Sequence, residues 1–225
     1  MAQNTVRPRL QLGDEAASYL RDQITSGALP PGAHVRPEAL AAELGISSTP
    51  AREALQGLRA EGFLALAPRR GFTVAQLTGD DIRDVYLAQA WVAGELASRA
   101  AKADSSVIDE IEEIHRELTE VAERGDLVAL QEQNHLFHRA INHASGAPKL
   151  AWLIQLLSHY APSRFYATIQ GWAQATIADH TGIVDALRAG DPDRAREEMR
   201  SHVLRAGELL ALHVDELRKS EKNSA

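Results

Sequence analysis

Helix-breaking residues divide the last two-thirds of this chain into six segments of helical length. The positions of these breaks constrain the fold more than any other feature of the sequence. The breaks are rich in glycine, proline, serine and aspartate and fall at 103–106, 125–126, 145–148, 171 and 190–192. No alternating strand pattern persists beyond Thr78. We therefore expect helices near 80–103, 106–123, 126–145, 149–169, 173–189 and 192–217. Their short connections predict a six-helix antiparallel bundle over 78–217, followed by a disordered tail at 218–225.

Residues 8–77 have a different pattern, which predicts three short helices and a hairpin. The first helix precedes the breaker sequence Pro-Pro-Gly at 30–32, and the second, near 37–44, stops at a glycine. The third begins at the capping sequence Ser-Ser-Thr and ends near residue 61. Two apolar strands then flank a basic turn at 68–71. Two helices joined by a glycine turn and followed by a hairpin predict a winged helix-turn-helix, so the expected fold class is mainly α.

Composition and charge exclude several classes of protein. The chain has no cysteine, which rules out disulfide frameworks, thiolate metal sites and cysteine nucleophiles. The N-terminus is polar and no run of about 18 uncharged apolar residues occurs, so we expect a cytoplasmic protein with no membrane partner. The net charge of −7 is uneven, because residues 1–77 carry 8 arginines and 7 acidic residues while the remainder carries a net −8. This asymmetry indicates two units with different partners.

The third helix is the candidate DNA-reading element, because the second helix of a helix-turn-helix enters the major groove. Arg52 is its best base or phosphate contact, since a planar guanidinium donates two parallel hydrogen bonds to guanine or phosphate. Hydroxyls at the helix start suit a phosphate, and an Arg-Arg-Gly hairpin tip suits the minor groove. The full candidate set is Arg36, Ser47, Ser48, Thr49, Arg52, Arg69, Arg70 and Gly71. The alternative is that these are ordinary surface residues.

The residues from Gly32 to Leu55, with Leu58, Glu61-Gly62 and Arg70-Gly71, resemble the winged helix-turn-helix of GntR-type bacterial transcription regulators. The most specific match is Ser-x-Thr-Pro-x-Arg-Glu-Ala-Leu at 47–55. The resemblance implies that Arg52 reads the operator. An arginine usually stands in that family where this chain has Ser48, so the resemblance also implies an operator that differs from the family's usual one.

Histidine spacing in the second unit predicts a metal site. Asn134 and His138 lie four residues apart, on one face of a helix. His180 and His202 are equally distant from residue 191, in the turn between the last two helices, so the two imidazoles can face each other across an antiparallel pair. Three imidazole nitrogens and one amide oxygen suit Zn²⁺, Ni²⁺ or Mn²⁺. For any single histidine, a surface or core role is the alternative.

The segment 134–146, together with His180 and His202 beside Gly190-Asp191, resembles the ligand-binding domain of the FadR subfamily of GntR regulators. Six helices are similar to the VanR-type branch of that subfamily. The resemblance implies that three histidines hold a divalent metal at the floor of an effector cavity. Zinc is our first choice for this metal. An aspartate is common where this chain has Asn134, so the resemblance implies weaker metal binding here.

The wall of the effector cavity is less well defined by the sequence. Gln89 stands where related domains often carry an arginine for an acid group, and Arg164, with Tyr160 one turn earlier, is an alternative source of positive charge. We take Gln89, Tyr160 and Arg164 as the candidate effector contacts, and the alternative for Arg164 is a partly buried ion pair with an acidic neighbour. Four aromatic residues at helical spacing are predicted to be core: Tyr86, Trp91, Phe137 and Trp152.

These features together predict a homodimeric transcription regulator, most simply a repressor, that binds double-stranded operator DNA and a small organic acid. An architectural DNA binder without an effector is one alternative. A helical-bundle metalloenzyme is another, but the sequence has no Gly-x-Ser-x-Gly elbow, Walker loop or HExxH helix. We expect no enzyme activity, and we place the hinge between the units near 76–79.

Overall fold

A computed structural model describes residues 9–67, 71–160, 166, 169 and 171–224. The chain divides into two compact units, Met1–Leu77 and Thr78–Ala225. The first holds α1 (Arg9–Thr25), β1 (His34–Val35), α2 (Pro37–Leu44), α3 (Ser48–Ala60), β2 (Leu64–Ala67) and β3 (Gly71–Val74). The second holds α4 (Gly79–Ala100), α5 (Ser105–Glu123), α6 (Leu127–Ala144), α7 (Pro148–Leu157), α8 (Trp172–Arg188) and α9 (Pro192–Ser224). The mainly α fold, a winged helix-turn-helix followed by a helical bundle, is confirmed.

The first unit is organised around α3. The apolar face of this helix is buried and comprises Pro50, Ala51, Ala54, Leu55 and Leu58. The turn before it depends on Gly45, which ends α2 with φ 64°, in the left-handed region that favours glycine. The Arg21 guanidinium of α1 donates two hydrogen bonds to the Glu61 carboxylate, at 2.8 and 2.9 Å, and so joins α1 to the end of α3.

The wing is an antiparallel sheet with strand order β1-β3-β2. Leu64 pairs with Val74 and Ala65 with Thr73, as expected for the predicted hairpin. Strand β1 was not expected, because two residues are too few to show an alternating pattern. Its Val35 is buried opposite Phe72 and extends the apolar side of the sheet.

The second unit is a bundle with one large apolar core and a smaller apolar cluster that includes Ile82 and Tyr86. Leu96, Leu118, Phe137, Ile141 and Ile183 are fully buried at the centre of the large core. Helix α4 begins with a capping box, in which the side chains of Thr78 and Asp81 accept each other's backbone N–H groups. None of the helices in the described ranges is long and apolar enough to cross a membrane.

Three features of the bundle differ from the sequence expectations. Helix α7 ends at Leu157 in a 3₁₀ turn (Ser158–Tyr160) rather than reaching residue 169, and a proline at 162 disfavours helix at the preceding position. Helix α9 continues to Ser224 through most of the segment expected to be a tail, since nothing after Gly207 in the sequence breaks a helix. Tyr86 and Phe137 are core, but Trp91 and Trp152 are 59% and 58% exposed, so their prediction as core was wrong.

Candidate DNA-reading surface and metal centre

The N-terminal end of α3 presents half of the predicted DNA contacts to solvent. Ser47, Ser48 and Thr49 are exposed, and Arg52 follows one turn later with 58% of its side chain exposed. Within the described part of the chain, the Ser47 side chain makes no capping hydrogen bond. The first N–H groups of α3 therefore lack the acceptor that an N-cap side chain normally provides, and a phosphate oxygen suits this position.

Arg52 is held at the surface by one weak ion pair. Its Nη2 donates to Oε1 of Glu38 on α2 at 3.4 Å, and both side chains are more than half exposed. An exposed pair of this kind contributes at most about 1 kcal/mol. Arg52 can therefore exchange Glu38 for a phosphate or a guanine at little cost.

The remaining predicted DNA contacts lie around this helix start. Arg36 is exposed at the N-cap of α2, and Gly71 opens β3 with φ 78°, a left-handed conformation. Arg69 and Arg70, at the hairpin tip, lie outside the described residues. The DNA-binding role of all these residues stays a prediction.

In the second unit, the structure brings together the three histidines that the sequence singled out. His138 of α6, His180 of α8 and His202 of α9 each place one ring nitrogen within 4.8 Å of the others. The ring centroids of His180 and His202 are 4.8 Å apart, as the symmetry about residue 191 predicted. His138 lies 5.2 Å from both rings. Side chains from three helices thus converge on one point.

Burial keeps His138 and His180 neutral. It lowers the pKa of His138 to about 3, with a smaller contribution from repulsion by His202 and His135. The pKa of His180 lies well below its usual value, again mainly through burial and then through repulsion by the neighbouring histidines. Neutral imidazole is the form that binds metal ions.

The donor atoms of the cluster fit a divalent metal. Both ring nitrogens of His180 are buried and have no hydrogen-bond partner among the described residues. Each unpaired buried polar atom costs roughly 1–3 kcal/mol. A bound ion would pair one of these nitrogens, and a set of neutral imidazoles suits zinc, nickel or manganese rather than calcium.

Asn134 lies one turn before His138 on α6, and its Oδ1 is another buried atom without a hydrogen-bond partner in the described ranges. Its carbonyl oxygen is therefore available as an acceptor or a ligand. Because an amide is neutral, it brings no charge to the set.

Two neighbours of the cluster were missed by sequence reasoning. His115 of α5 lies with its ring 6.0 Å from that of His180, and its Nε2 is 3.1 Å from Thr181 Oγ1. Asp179 of α8 accepts from His202 Nδ1 at 3.2 Å and from Arg205 Nε at 3.1 Å. Burial raises the pKa of Asp179, but the hydrogen bonds from His202 and Arg205 outweigh it and hold the pKa below its usual value. Only the packing of α5, α8 and α9 reveals these contacts.

Two of the three predicted effector contacts, Gln89 and Tyr160, are engaged within the bundle. Gln89 is buried, and its Nε2 donates to the Leu157 carbonyl at 3.0 Å, where it ties α4 to the end of α7. Tyr160 is half-buried and packs against the apolar cluster that comprises Ile82, Tyr86, Leu210 and Ala211. Arg164 lies outside the described residues. These three assignments stay untested as effector contacts.

An open groove with a volume of about 1140 Å³ lies beside α6 and α7 and includes His138 in its wall. Arg139, His143 and Gln155 supply polar lining, and Leu136 and Trp152 supply apolar lining. Among the described residues that line it there is no acidic side chain. The groove therefore offers one of the three clustered histidines an approach from solvent.

Two family models match the chain and together span most of it. The model described as bacterial regulatory proteins, gntR family, matches residues 12–74. The FCD domain matches residues 84–205. These ranges fall within the helix-turn-helix unit and the helical bundle respectively.

Two named relatives align with about four-fifths of the chain. A protein of Paenarthrobacter nicotinovorans described as a probable D-xylose utilization operon transcriptional repressor is 33% identical over 196 residues, covering 83% of this chain and 85% of the relative. The HTH-type transcriptional regulator McbR of Escherichia coli is 32% identical, covering 79% and 82%.

Solved structures show the same architecture. E. coli McbR/YncC superposes with a TM-score of 0.70 at 26% identity, covering 90% of this chain and 98% of that chain. A GntR regulator from Rhodococcus superposes with a TM-score of 0.61 at 23% identity, covering 88% and 96%, which shows the shared fold alone.

The matched family consists of transcription regulators rather than enzymes, so the metalloenzyme alternative is excluded. The first unit is the DNA-binding domain, and the FCD match makes the second an effector-binding domain of the FadR type. This chain belongs to the GntR family of bacterial transcription regulators.

Proposed function

We propose that the protein is a homodimeric repressor whose operator binding responds to a divalent metal and to a small organic acid held in the second unit. The observation that carries this proposal is the convergence of His138, His180 and His202, whose ring nitrogens lie within 4.8 Å of one another. Zinc is the first choice of metal, with nickel or manganese as alternatives, and Asn134 supplies the fourth ligand. When bound, the metal would supply a cation for a carboxylate and would link α6, α8 and α9.

The groove beside α6 and α7 supports an organic acid as effector. A carboxylate that approaches the cluster from this groove meets Arg139 and His143 and, among the described lining residues, no acidic side chain. The exposed Leu136 suits the apolar body of such an acid. We therefore place the effector here rather than at Gln89, whose amide is already engaged.

The proposed DNA contacts are those of α3 and the wing, with Arg52 as the principal reader. The P. nicotinovorans relative is described as a repressor, which supports the same role here. A repressor that binds the chromosome acts in the bacterial cytoplasm. The effector changes operator occupancy only by the difference in its affinity for DNA-competent and DNA-incompetent states, and the segment near 76–79 is our proposed hinge between the units.

Exposed apolar side chains on two adjacent helices support a homodimer. Leu87 and Trp91 lie one turn apart on α4, and Trp152 and Leu156 lie one turn apart on α7, all exposed. Gln89 links the two helices by its hydrogen bond to Leu157. An apolar surface of this kind is more typical of a subunit interface than of a monomer's surface.

Native mass spectrometry with metal analysis tests the assembly and the metal together. We expect twice the mass of a single chain and one zinc ion per chain, with the zinc lost in His180→Gln. A monomer, or a dimer that takes up no zinc, nickel or manganese, would contradict the proposal.

A thermal-shift screen of small mono- and dicarboxylic acids tests the effector, and the hits are then added to the protein bound to a selected operator duplex. We expect an acid that stabilises the zinc-loaded protein and releases the duplex. Operator binding with no response to any acid would instead favour the architectural DNA binder.

A further inference from the structure

The Asp179 carboxylate joins the histidine cluster to a surface arginine. Its Oδ2 accepts from His202 Nδ1 at 3.2 Å and from Arg205 Nε at 3.1 Å, and its Oδ1 pairs with Arg205 Nη2 at 2.6 Å. Asp179 directly precedes His180 on α8, whereas His202 and Arg205 lie on α9. Asp179 thus lies on the helix that carries His180, and its carboxylate contacts His202 on the neighbouring helix.

This contact determines which nitrogen of His202 is available to a metal. An ionised carboxylate only accepts hydrogen bonds, so Nδ1 of His202 carries the proton that it donates to Asp179. Nε2 is then left with its lone pair. A carboxylate hydrogen-bonded to the far nitrogen of a ligating histidine also increases the basicity of the ring.

The charge of the proposed metal ligands is a second reason why the contact between Asp179 and His202 matters. A histidine binds a metal as neutral imidazole and the Asn134 amide is uncharged, so the ligands themselves bring no negative charge to a divalent cation. Asp179 is the carboxylate seen bonded to one of these histidines in the described residues.

We propose that Asp179 is a positioning residue that fixes the tautomer of His202 and delivers negative charge to the metal through that ring. This inference rests on the proposed metal site. Arg205 reduces the negative charge that Asp179 delivers, because its guanidinium pairs with the same carboxylate and places a positive charge beside the site.

Zinc affinity, measured by competition with a fluorescent chelator, tests this role. We expect Asp179→Asn to weaken zinc binding by about 10–100-fold and Asp179→Glu to restore part of the loss. The matched control is Glu112→Gln, which removes a carboxylate paired with Arg188 elsewhere in the bundle. This control should bind zinc like the unsubstituted protein.

The Arg205→Gln substitution should change zinc affinity in the direction opposite to Asp179→Asn. Removing the arginine leaves the carboxylate to His202 alone, so zinc should bind more tightly. A carboxylate that merely ties α8 to α9 would instead make both Arg205→Gln and Asp179→Asn less stable without zinc and would leave their zinc affinity unchanged. Because Arg205 is 54% exposed, its variant is the more tolerant of the two and tests the role even if Asp179→Asn does not fold.

The visible absorption of the cobalt-loaded protein provides a second readout. We expect the ligand-field bands to shift in Asp179→Asn and Arg205→Gln, but not in Glu112→Gln. Normal zinc affinity and unshifted bands in both variants would overturn the role of Asp179 and leave the metal site standing. Failure of the unsubstituted protein to bind zinc or cobalt would overturn both.

Discussion

The imidazole of His180 lies almost parallel to the phenyl ring of Phe137, with ring centroids 4.1 Å apart and an angle of 16° between the planes. Phe137 directly precedes His138, so one turn of α6 supplies both a clustered histidine and the apolar surface behind another. Because Phe137 is fully buried, it keeps water from that side of His180. The His180 side of the histidine cluster therefore rests on the apolar core.

Replacement of Phe137 by alanine should destabilise the metal-free bundle by about 3–5 kcal/mol, because it removes a buried ring and leaves a cavity beside His180. Urea unfolding in the presence of a chelator measures this loss. The control is Val128→Ala, a change on the same helix at a side chain that is 71% exposed, which should stay within about 0.5 kcal/mol. Equal effects of the two changes would contradict the core role of Phe137.

Lowering the pH should destabilise the metal-free protein before its carboxylates titrate. His138 has a pKa of about 3 when folded, against an ordinary value of 6.5. Below pH 6.5 this histidine is therefore protonated in the unfolded chain but stays neutral in the folded chain. Because of this group, the free energy of unfolding falls by about 1.4 kcal/mol for each unit by which the pH is lowered.

Urea unfolding at pH 7.5, 6.0 and 5.0 tests this linkage. The dependence should be smaller in His138→Phe, which cannot take up a proton in either state. The exposed His143→Phe is the control and should keep the full dependence. Identical slopes in all three proteins would mean that His138 is not buried as a neutral ring.

Much of the fold follows from local sequence signals. The six helices of the bundle were predicted because breaks rich in glycine, proline, serine and aspartate separate them, and the hairpin because its strands flank a basic turn. Strand β1 pairs Val35 with Phe72, 37 positions away in the sequence, and has no local pattern of its own. The exposure of Trp91 depends on what covers α4, which a helical period alone does not reveal.

The histidine cluster was predictable only in part. His180 and His202 face each other because one turn relates two antiparallel helices, and this symmetry can be read from the sequence. The proximity of His138 to these two rings depends on how α6 packs, and this part of the prediction came from the family resemblance. Asp179 carried no signal, because its neighbour in the sequence is His180 whereas its hydrogen-bond partner is His202.

Substitution of Gly207 by alanine should destabilise the bundle. A Cβ at this position of α9 would lie 2.4 Å from Tyr86 Cβ, and the Tyr86 hydroxyl is held 2.6 Å from that of Tyr166. We expect a loss of about 1–3 kcal/mol from overpacking, which outweighs the helix propensity that alanine gains.

The same substitution at Gly57, in α3, has nothing within 4 Å of the added carbon and should stabilise its own unit by up to about 1 kcal/mol. Thermal unfolding of both variants measures the contrast. A stabilised Gly207→Ala would show that α4 and α9 do not approach so closely.

Arg52→Ala should weaken binding to a selected operator duplex by about 1–3 kcal/mol, with a smaller loss on a scrambled duplex. Arg59→Ala, in the last turn of the same helix, is the matched control, since the C-terminal end of a recognition helix lies away from the base edges. Glu38→Gln should tighten binding slightly, because it removes the carboxylate paired with Arg52. Fluorescence anisotropy at fixed salt measures all three, and equal losses for the two arginines would remove Arg52 from the reading set.

Trp91→Glu should convert the dimer to monomer, because it places a charge in the apolar surface shared by α4 and α7. The side chain is 59% exposed within one chain, so the helix itself should tolerate the change, and circular dichroism checks this. Sedimentation velocity measures the assembly, with Val128→Glu as a control at another exposed apolar position. The monomer should also bind a two-site operator far more weakly, since each domain then contacts its half-site independently. A stable dimer of Trp91→Glu would place the subunit interface on another face of the bundle.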